Sequence, residues 1–142
     1  MVDVDAAALL AEAEAARAHA YAPYSRFRVG AAVLTADGQV HRGVNVENVS
    51  YGLTICAERV AIGAAVAAGA REVVAVAVIA GDDAGGGDPP APCGACRQVL
   101  HEFGPDMQVI LPGASPRVRP LSDYLPSGFG PRDLARGQEE PA

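Results

Sequence analysis

Every cysteine in the chain lies in two short stretches, Cys56-Ala57-Glu58 and Pro92-Cys93-Gly94-Ala95-Cys96. Three thiols are an odd number for disulfides but a workable set for a metal ion. Zinc held by three protein ligands keeps a fourth position for water, as catalytic sites do, whereas a structural site is closed by a fourth ligand. None of the imidazoles, His19, His41 and His101, has ligand spacing to these cysteines. A lone Cys-x-x-Cys also reads as a redox pair, but such a pair needs no third thiol two residues before a glutamate. Glu58 alone would read as a solvated helix carboxylate. Placed after Cys56 in the first turn of a helix, it can face the metal's open position and move protons for its water. Arg59 alone would be a surface charge. Three thiolates leave a zinc site net negative, however, and a guanidinium on a thiolate sulfur offsets that charge. Gln98 is a further candidate donor beside the ligands.

The elements that must position these residues are legible in the pattern. Leu9, Leu10, Ala13, Ala16 and Ala20 recur at helical spacing over 5–20, with Asp5 as N-cap. Pro23 and Ser25 break that helix between Tyr21 and Arg26. Phe27 to Ala36 and Gln39 to Glu47 read as strands joined at Asp37-Gly38, a signal for a type I′ hairpin. Thr54 is a candidate N-cap for a helix over 55–68 that Gly69 ends; apolar nearly all round, it is expected to be buried against the sheet. Val73 to Ala80 is a continuous apolar run of the kind found in buried parallel strands. Gly81 to Pro92 is a loop. Cys93 opens a second short helix that ends near Gly104, and Met107 to Leu111 is a fourth strand. A fifth, around Val118, follows too closely for a parallel crossover and should pair antiparallel. Leu121 to Leu125 and Pro131 to Leu134 read as helical turns. This order gives a mixed sheet covered by helices. Both metal stretches fall where a loop enters a helix, and the amide groups and positive end there stabilise thiolates.

The bulk properties narrow the classes of partner. At 142 residues, half of them hydrophobic, the expectation is one domain over 1–142, with 137–142 a frayed polar tail. The formal net charge is −6, and all 11 basic residues are Arg with no basic run. That disfavours a polynucleotide partner, which usually meets a basic patch. No apolar run is long enough for a membrane span. The acidic start Met1-Val2-Asp3-Val4-Asp5 lacks the basic opening of a secretory signal. Three cysteines without such a signal lead to the expectation of a reducing cytoplasm.

A Cys, then x-Glu, then Pro-Cys-x-x-Cys is the zinc deaminase pattern. Beyond it, the chain resembles the cytidine deaminase family, in its small homotetrameric branch with three Cys ligands. The matching stretches are Tyr24 to Ala32, Asn45-Val46-Glu47-Asn48, Ser50-Tyr51, Thr54 to Arg59 and Pro92 to Gln98, within a likeness running from about residue 7 to 135. The resemblance implies a three-layer α/β/α fold, with a five-stranded mixed sheet covered by helices on both faces. It implies one zinc per chain on Cys56, Cys93 and Cys96. Glu58 would take a proton from the metal's water, deliver it to pyrimidine N3 and later protonate the departing amine. Asn45 and Glu47 look like the pair that binds the ribose hydroxyls, although as residues alone they read as a polar strand end. Phe27 resembles the ring beside the pyrimidine, and the Ala57 amide the contact to the base carbonyl. Tyr51 and Phe129 match residues at a subunit interface, with Phe129 closing a neighbour's pocket. The implied reaction converts cytidine and deoxycytidine to uridine and deoxyuridine with release of ammonia, in pyrimidine salvage. Two rivals remain: a deaminase for another aminopyrimidine, such as a nucleoside antibiotic, and a non-catalytic zinc-stabilised binding module.

Overall fold

The computed structural model describes residues 2–81 and 89–139. Asp5 caps the first helix as expected, its side chain accepting from the Ala8 amide at 3.0 Å. This helix, α1, covers Ala6–Arg17 and stops short of the expected residue 20. The amides of His19 and Ala20 bond three residues back, tightening the chain out of the α-helix. Strands β1 (Val29–Thr35) and β2 (Val40–Val44) form the antiparallel hairpin, both shorter than expected. The turn between them corrects the type I′ assignment. That turn needs positive φ at both central residues, yet at the tip only Gly38 has it, at +86°. The Gly38 amide bonds Thr35 O and the Thr35 amide bonds Gln39 O, so the connection is a three-residue loop with the glycine left-handed.

Helix α2 covers Ala57–Ala67, with Cys56 rather than Thr54 at the N-cap. Ile55 explains the shift, because it exchanges both backbone hydrogen bonds with Val46 and stays extended. The Thr54 hydroxyl instead accepts from the Asn48 amide at 3.1 Å. Ala70 N bonds Ala65 O and Gly69 N bonds Val66 O, which closes the C-terminus as a Schellman motif. Strand β3 (Val73–Ala80), helix α3 (Gly94–Phe103), β4 (Gln108–Leu111) and β5 (Arg117–Pro120) follow. After a 3-10 turn at Leu121–Asp123, helix α4 runs over Pro131–Glu139. Residues 137–139, expected to fray, therefore belong to a helix. Residues 140–142 and most of the loop expected between Gly81 and Pro92, at 82–88, lie outside the described residues.

The five strands lie in the order β2-β1-β3-β4-β5. Only β3 and β4 run parallel; β3 meets β1 antiparallel, so its apolar run is buried by two faces rather than by two parallel neighbours. Alternation splits the core between the two faces of the sheet. Ala31, Val33, Val76, Val78, Val109 and Leu111 pack with α2 and α3, while Ala32, Leu34, Ala77, Ile79 and Ile110 pack with α1. The layers are thus α/β/α. Helix α2 is buried against the sheet, as expected, through Ala57, Ala61, Ile62 and Ala65, while Gly63, Ala64 and Ala67 on its other side are exposed.

Candidate active site

Two helix starts bring the three thiols together. Cys56 caps α2, Cys93 caps α3, and Cys96 sits in the first turn of α3. Their Sγ atoms all lie within 4.8 Å of one another, and Cys56 and Cys93 are 3.9 Å apart. A disulfide would bring sulfurs to about 2.0 Å. Tetrahedral zinc, with bonds of about 2.3 Å, holds its thiolates about 3.8 Å apart, so the trio fits that ion. Among the described residues no His, Asp or Glu joins the group, which leaves three protein ligands. The thiols are electrostatically unequal. Burial pushes the Cys96 pKa far up, and the Glu58 charge adds to the shift. Burial also works against the Cys93 thiolate, but the Cys96 amide and the neighbouring thiols outweigh it and hold Cys93 below the ordinary thiol value. A bound divalent cation removes that inequality by deprotonating all its thiol ligands.

Glu58 follows on the buried face of α2 and is only 5% exposed. Burial raises its pKa above the ordinary carboxylate value, although its own amide, Cys96 and Arg59 pull the other way. A carboxyl that holds its proton more tightly is suited to taking one up and giving it back. Arg59 lies where the charge argument needs it, with Nη2 donating to Cys56 Sγ at 3.6 Å. Its Nε is buried with no partner among the described residues.

Beside the thiols lies a cavity of about 280 Å³. Phe27, Asn45, Glu47, Ala57 and Glu58 line it together with Cys56 and Cys93. Asn45 and Glu47 arrive there through the Val46–Ile55 bridge, which lays the end of the β2 segment against the start of α2. Both side chains also brace the wall opposite. Asn45 Oδ1 accepts from Val29 N at 2.9 Å, and its Nδ2 donates to Phe27 O at 2.8 Å. Glu47 Oε1 accepts from the amides of Tyr24 at 2.9 Å and Ser25 at 3.1 Å, and Oε2 accepts from the Ser25 hydroxyl. Ser25 lines the cavity too, and sequence reasoning gave it no role; its signals were its place in the break after Pro23 and in the matching stretch Tyr24 to Ala32.

The remaining candidates lie elsewhere in the single chain. Tyr51 is 76% exposed, packs edge-on against Tyr24 at 6.2 Å, and lines an adjoining hollow with Glu47 and Thr54. Phe129 is 55% exposed and does not line the cavity. Gln98 turns its amide nitrogen to the Phe129 carbonyl at 2.8 Å instead of to a ligand sulfur.

A thiol ligand two residues before a buried carboxyl, with a Pro-Cys-x-x-Cys turn completing the ligand set, places the site among the zinc deaminases. Comparison with known proteins narrows this. Residues 4–111 match the family model described as the cytidine and deoxycytidylate deaminase zinc-binding region. A cytidine deaminase of Halalkalibacterium halodurans is 48% identical over 134 residues, covering 92% of this chain and 98% of that protein. A cytidine deaminase of Mycobacterium tuberculosis is 48% identical over 136 residues, covering 96% and 98%. The crystal structure of cytidine deaminase from Burkholderia pseudomallei superposes with a TM-score of 0.80 at 48% identity, covering 89% of this chain and all of that one. The chain belongs to the cytidine deaminase family, and its cluster of three cysteines fits the zinc of that family's zinc-binding region, one ion per chain.

Proposed function

We propose that the protein hydrolyses cytidine and deoxycytidine to uridine and deoxyuridine. Water adds at C4 of the pyrimidine, the C4–N bond breaks, and ammonia leaves. The observation that carries this reading is a buried carboxyl of raised pKa, Glu58, lining one cavity together with Cys56, Cys93, Asn45 and Glu47. Zinc, when bound, supplies the Lewis acidity that makes water nucleophilic near neutral pH.

The chain's own residues do the rest. Glu58 takes one proton from the attacking water and gives it to N3, then takes the second proton of that oxygen and gives it to the departing amine. The Ala57 amide N–H, at the positive start of α2, donates to the base carbonyl. Phe27 flanks the ring, and Asn45 and Glu47 take the ribose hydroxyls. A carboxylate has about four acceptor sites, so Glu47 can keep its bonds to Tyr24 and Ser25 while accepting another. Arg59 offsets thiolate charge.

The protein is further proposed to act as one domain, in the cytoplasm, in pyrimidine salvage, without a nucleic-acid partner. Among the described residues no helix is long and apolar enough to cross a membrane. A homotetramer with shared sites is proposed from the exposed Tyr51, Phe129 and small-residue face of α2, which remain open in one chain. Four measurements test these readings. Purified protein should contain about one zinc per chain and lower the absorbance of cytidine with release of ammonia, while cytosine, CMP and adenosine react far more slowly. Faster turnover of another aminopyrimidine would move the assignment to that substrate, and zinc without ammonia release would leave only a binding module. Phe129→Ala should raise KM or lower kcat without loss of zinc, and an active monomer in sedimentation would defeat the shared-site proposal.

A further inference from the structure

The chain before Cys93 is held by a side chain that the chemistry above does not use. Arg97, in the second turn of α3, donates from Nε to the Pro92 carbonyl at 2.7 Å and from Nη1 to the Tyr124 carbonyl at 2.8 Å. Its guanidinium carbon also lies over the Tyr124 ring, 5.4 Å from the centroid. Pro92 is fully buried, and its carbonyl belongs to the planar peptide that leads into the ligand Cys93. Holding that oxygen therefore sets the plane from which Cys93 departs. Tyr124 begins the segment that reaches Phe129, and Gln98, the next residue of α3, holds the Phe129 carbonyl. Two consecutive side chains of one helix thus grip the C-terminal segment, and one of them also grips the ligand loop.

We propose that Arg97 is a positioning residue that couples the two. One planar guanidinium orients the Pro92–Cys93 peptide and anchors the 124–129 segment, so that a disturbance at Tyr124 is felt at the zinc ligand. The guanidinium fork suits this role, whereas lysine offers a point charge with no fixed pair of donors. The role rests on the zinc deaminase reading for its use in catalysis, but metal retention reports it without any substrate.

The experiment follows zinc transfer from the zinc-loaded full chain to a colorimetric chelator, at a temperature where each variant is folded by circular dichroism. Groups that orient metal ligands typically change metal affinity about 10- to 100-fold when replaced, and Arg97→Lys should speed zinc release by that order. Tyr124→Leu keeps the carbonyl but removes the ring face, and should speed release about two- to fivefold. The double variant should release zinc no faster than Arg97→Lys alone, because the ring acts through the guanidinium. Merely additive effects would mean two separate structural losses and would overturn the coupling. So would wild-type release from Arg97→Lys, since charge alone would then suffice. If Arg97→Lys does not fold, Tyr124→Leu decides alone, and unchanged release overturns the proposal. Absence of ammonia release with this zinc pattern intact would sink the deaminase reading and leave the coupling standing.

Discussion

Gly43→Ala tests whether the close approach of α2 to β2 is what places the reactive end of the helix. A Cβ at Gly43 would lie 2.3 Å from the Ala57 carbonyl oxygen, 2.3 Å from the Ala61 nitrogen and 2.9 Å from Ala61 Cα. All three are backbone atoms of α2, so no side chain can swing aside. Ordinary contact begins at 3.4 Å, and in a close-packed interior the helix or the strand must therefore yield by about 1 Å. Overpacking of this kind costs about 1–3 kcal/mol. In a domain of this size each kcal/mol lowers Tm by about 2–4 °C, so the variant should melt roughly 2–12 °C lower.

The clash falls on the first turn of α2, on Ala57, between Cys56, the proposed metal ligand, and Glu58, the proposed proton carrier. A misplacement of about 1 Å at a reacting group can cost about 10²-fold in rate. The turnover of cytidine should accordingly fall up to about a hundredfold at temperatures where the variant is still folded. Melting of the zinc-loaded protein and the loss of cytidine absorbance measure the two effects separately. A variant that melts within about 1 °C of wild type and keeps its rate would refute the reasoning. One that melts lower but keeps its rate would show that the contact packs the helix without positioning its chemistry.

Other substitutions probe the remaining parts of the site. Glu58→Gln should keep its zinc and fold and lose about 10²–10⁴-fold in turnover or more; near-normal ammonia release would remove Glu58 from the proton path. Arg59→Gln should speed zinc loss to a chelator or lower activity, with Cys56→His partly restoring it by removing one thiolate charge; a silent Arg59→Gln would end the charge argument. Glu47 carries the pH prediction. The Ser25 hydroxyl, aided by the Ser25 and Tyr24 amides, holds its carboxyl below the ordinary value of 4.5 against the effect of burial. A depressed carboxyl contributes stability above pH 4.5 that is lost as pH falls through its lower folded value. Glu47→Gln should therefore shrink the fall in Tm on acidification below pH 4.5, and superimposable Tm–pH curves for variant and wild type would count against the bonds described.

The parts of the site that could be read from the chain are those fixed by local geometry. A thiol two residues before a carboxyl, and a pair of thiols three apart at a helix start, depend only on how the first turn of a helix projects its side chains. Arg59 reaches Cys56 for the same reason, three residues on. The extent of β3 was legible because an apolar run bounded by polar and glycine residues leaves little choice. Where a distant partner decides, the local signal fails. Thr54 has the side chain of an N-cap, but Val46 holds Ile55 extended and moves the helix start to Cys56. The all-round apolar composition of α2 says nothing of which side meets the sheet, and in one chain Gly63, Ala64 and Ala67 face outward. Gln98 has a donor of the right kind, but the C-terminal segment claims it.

Asn45 and Glu47 show why the same limit reaches into function. Their types suit ribose hydroxyls, and types are visible in a sequence. Their hydrogen bonds, however, run to Val29, Phe27, Tyr24 and Ser25, so the two side chains also hold the opposite wall of the cavity in place. A substitution at either position should therefore change two things at once, the proposed contact to substrate and the bonds that hold the opposite wall. Such a change raises KM through both, and it also loosens the wall when no substrate is present. Melting of the zinc-loaded, substrate-free protein separates the two effects, because only the bracing contributes there. A residue whose polar atoms are already engaged by backbone presents its remaining acceptor sites in fixed directions, without ordering cost when the ligand arrives. The bracing bonds and the proposed binding role are thus compatible: the groups proposed for the sugar are also the ones that tie down the cavity wall.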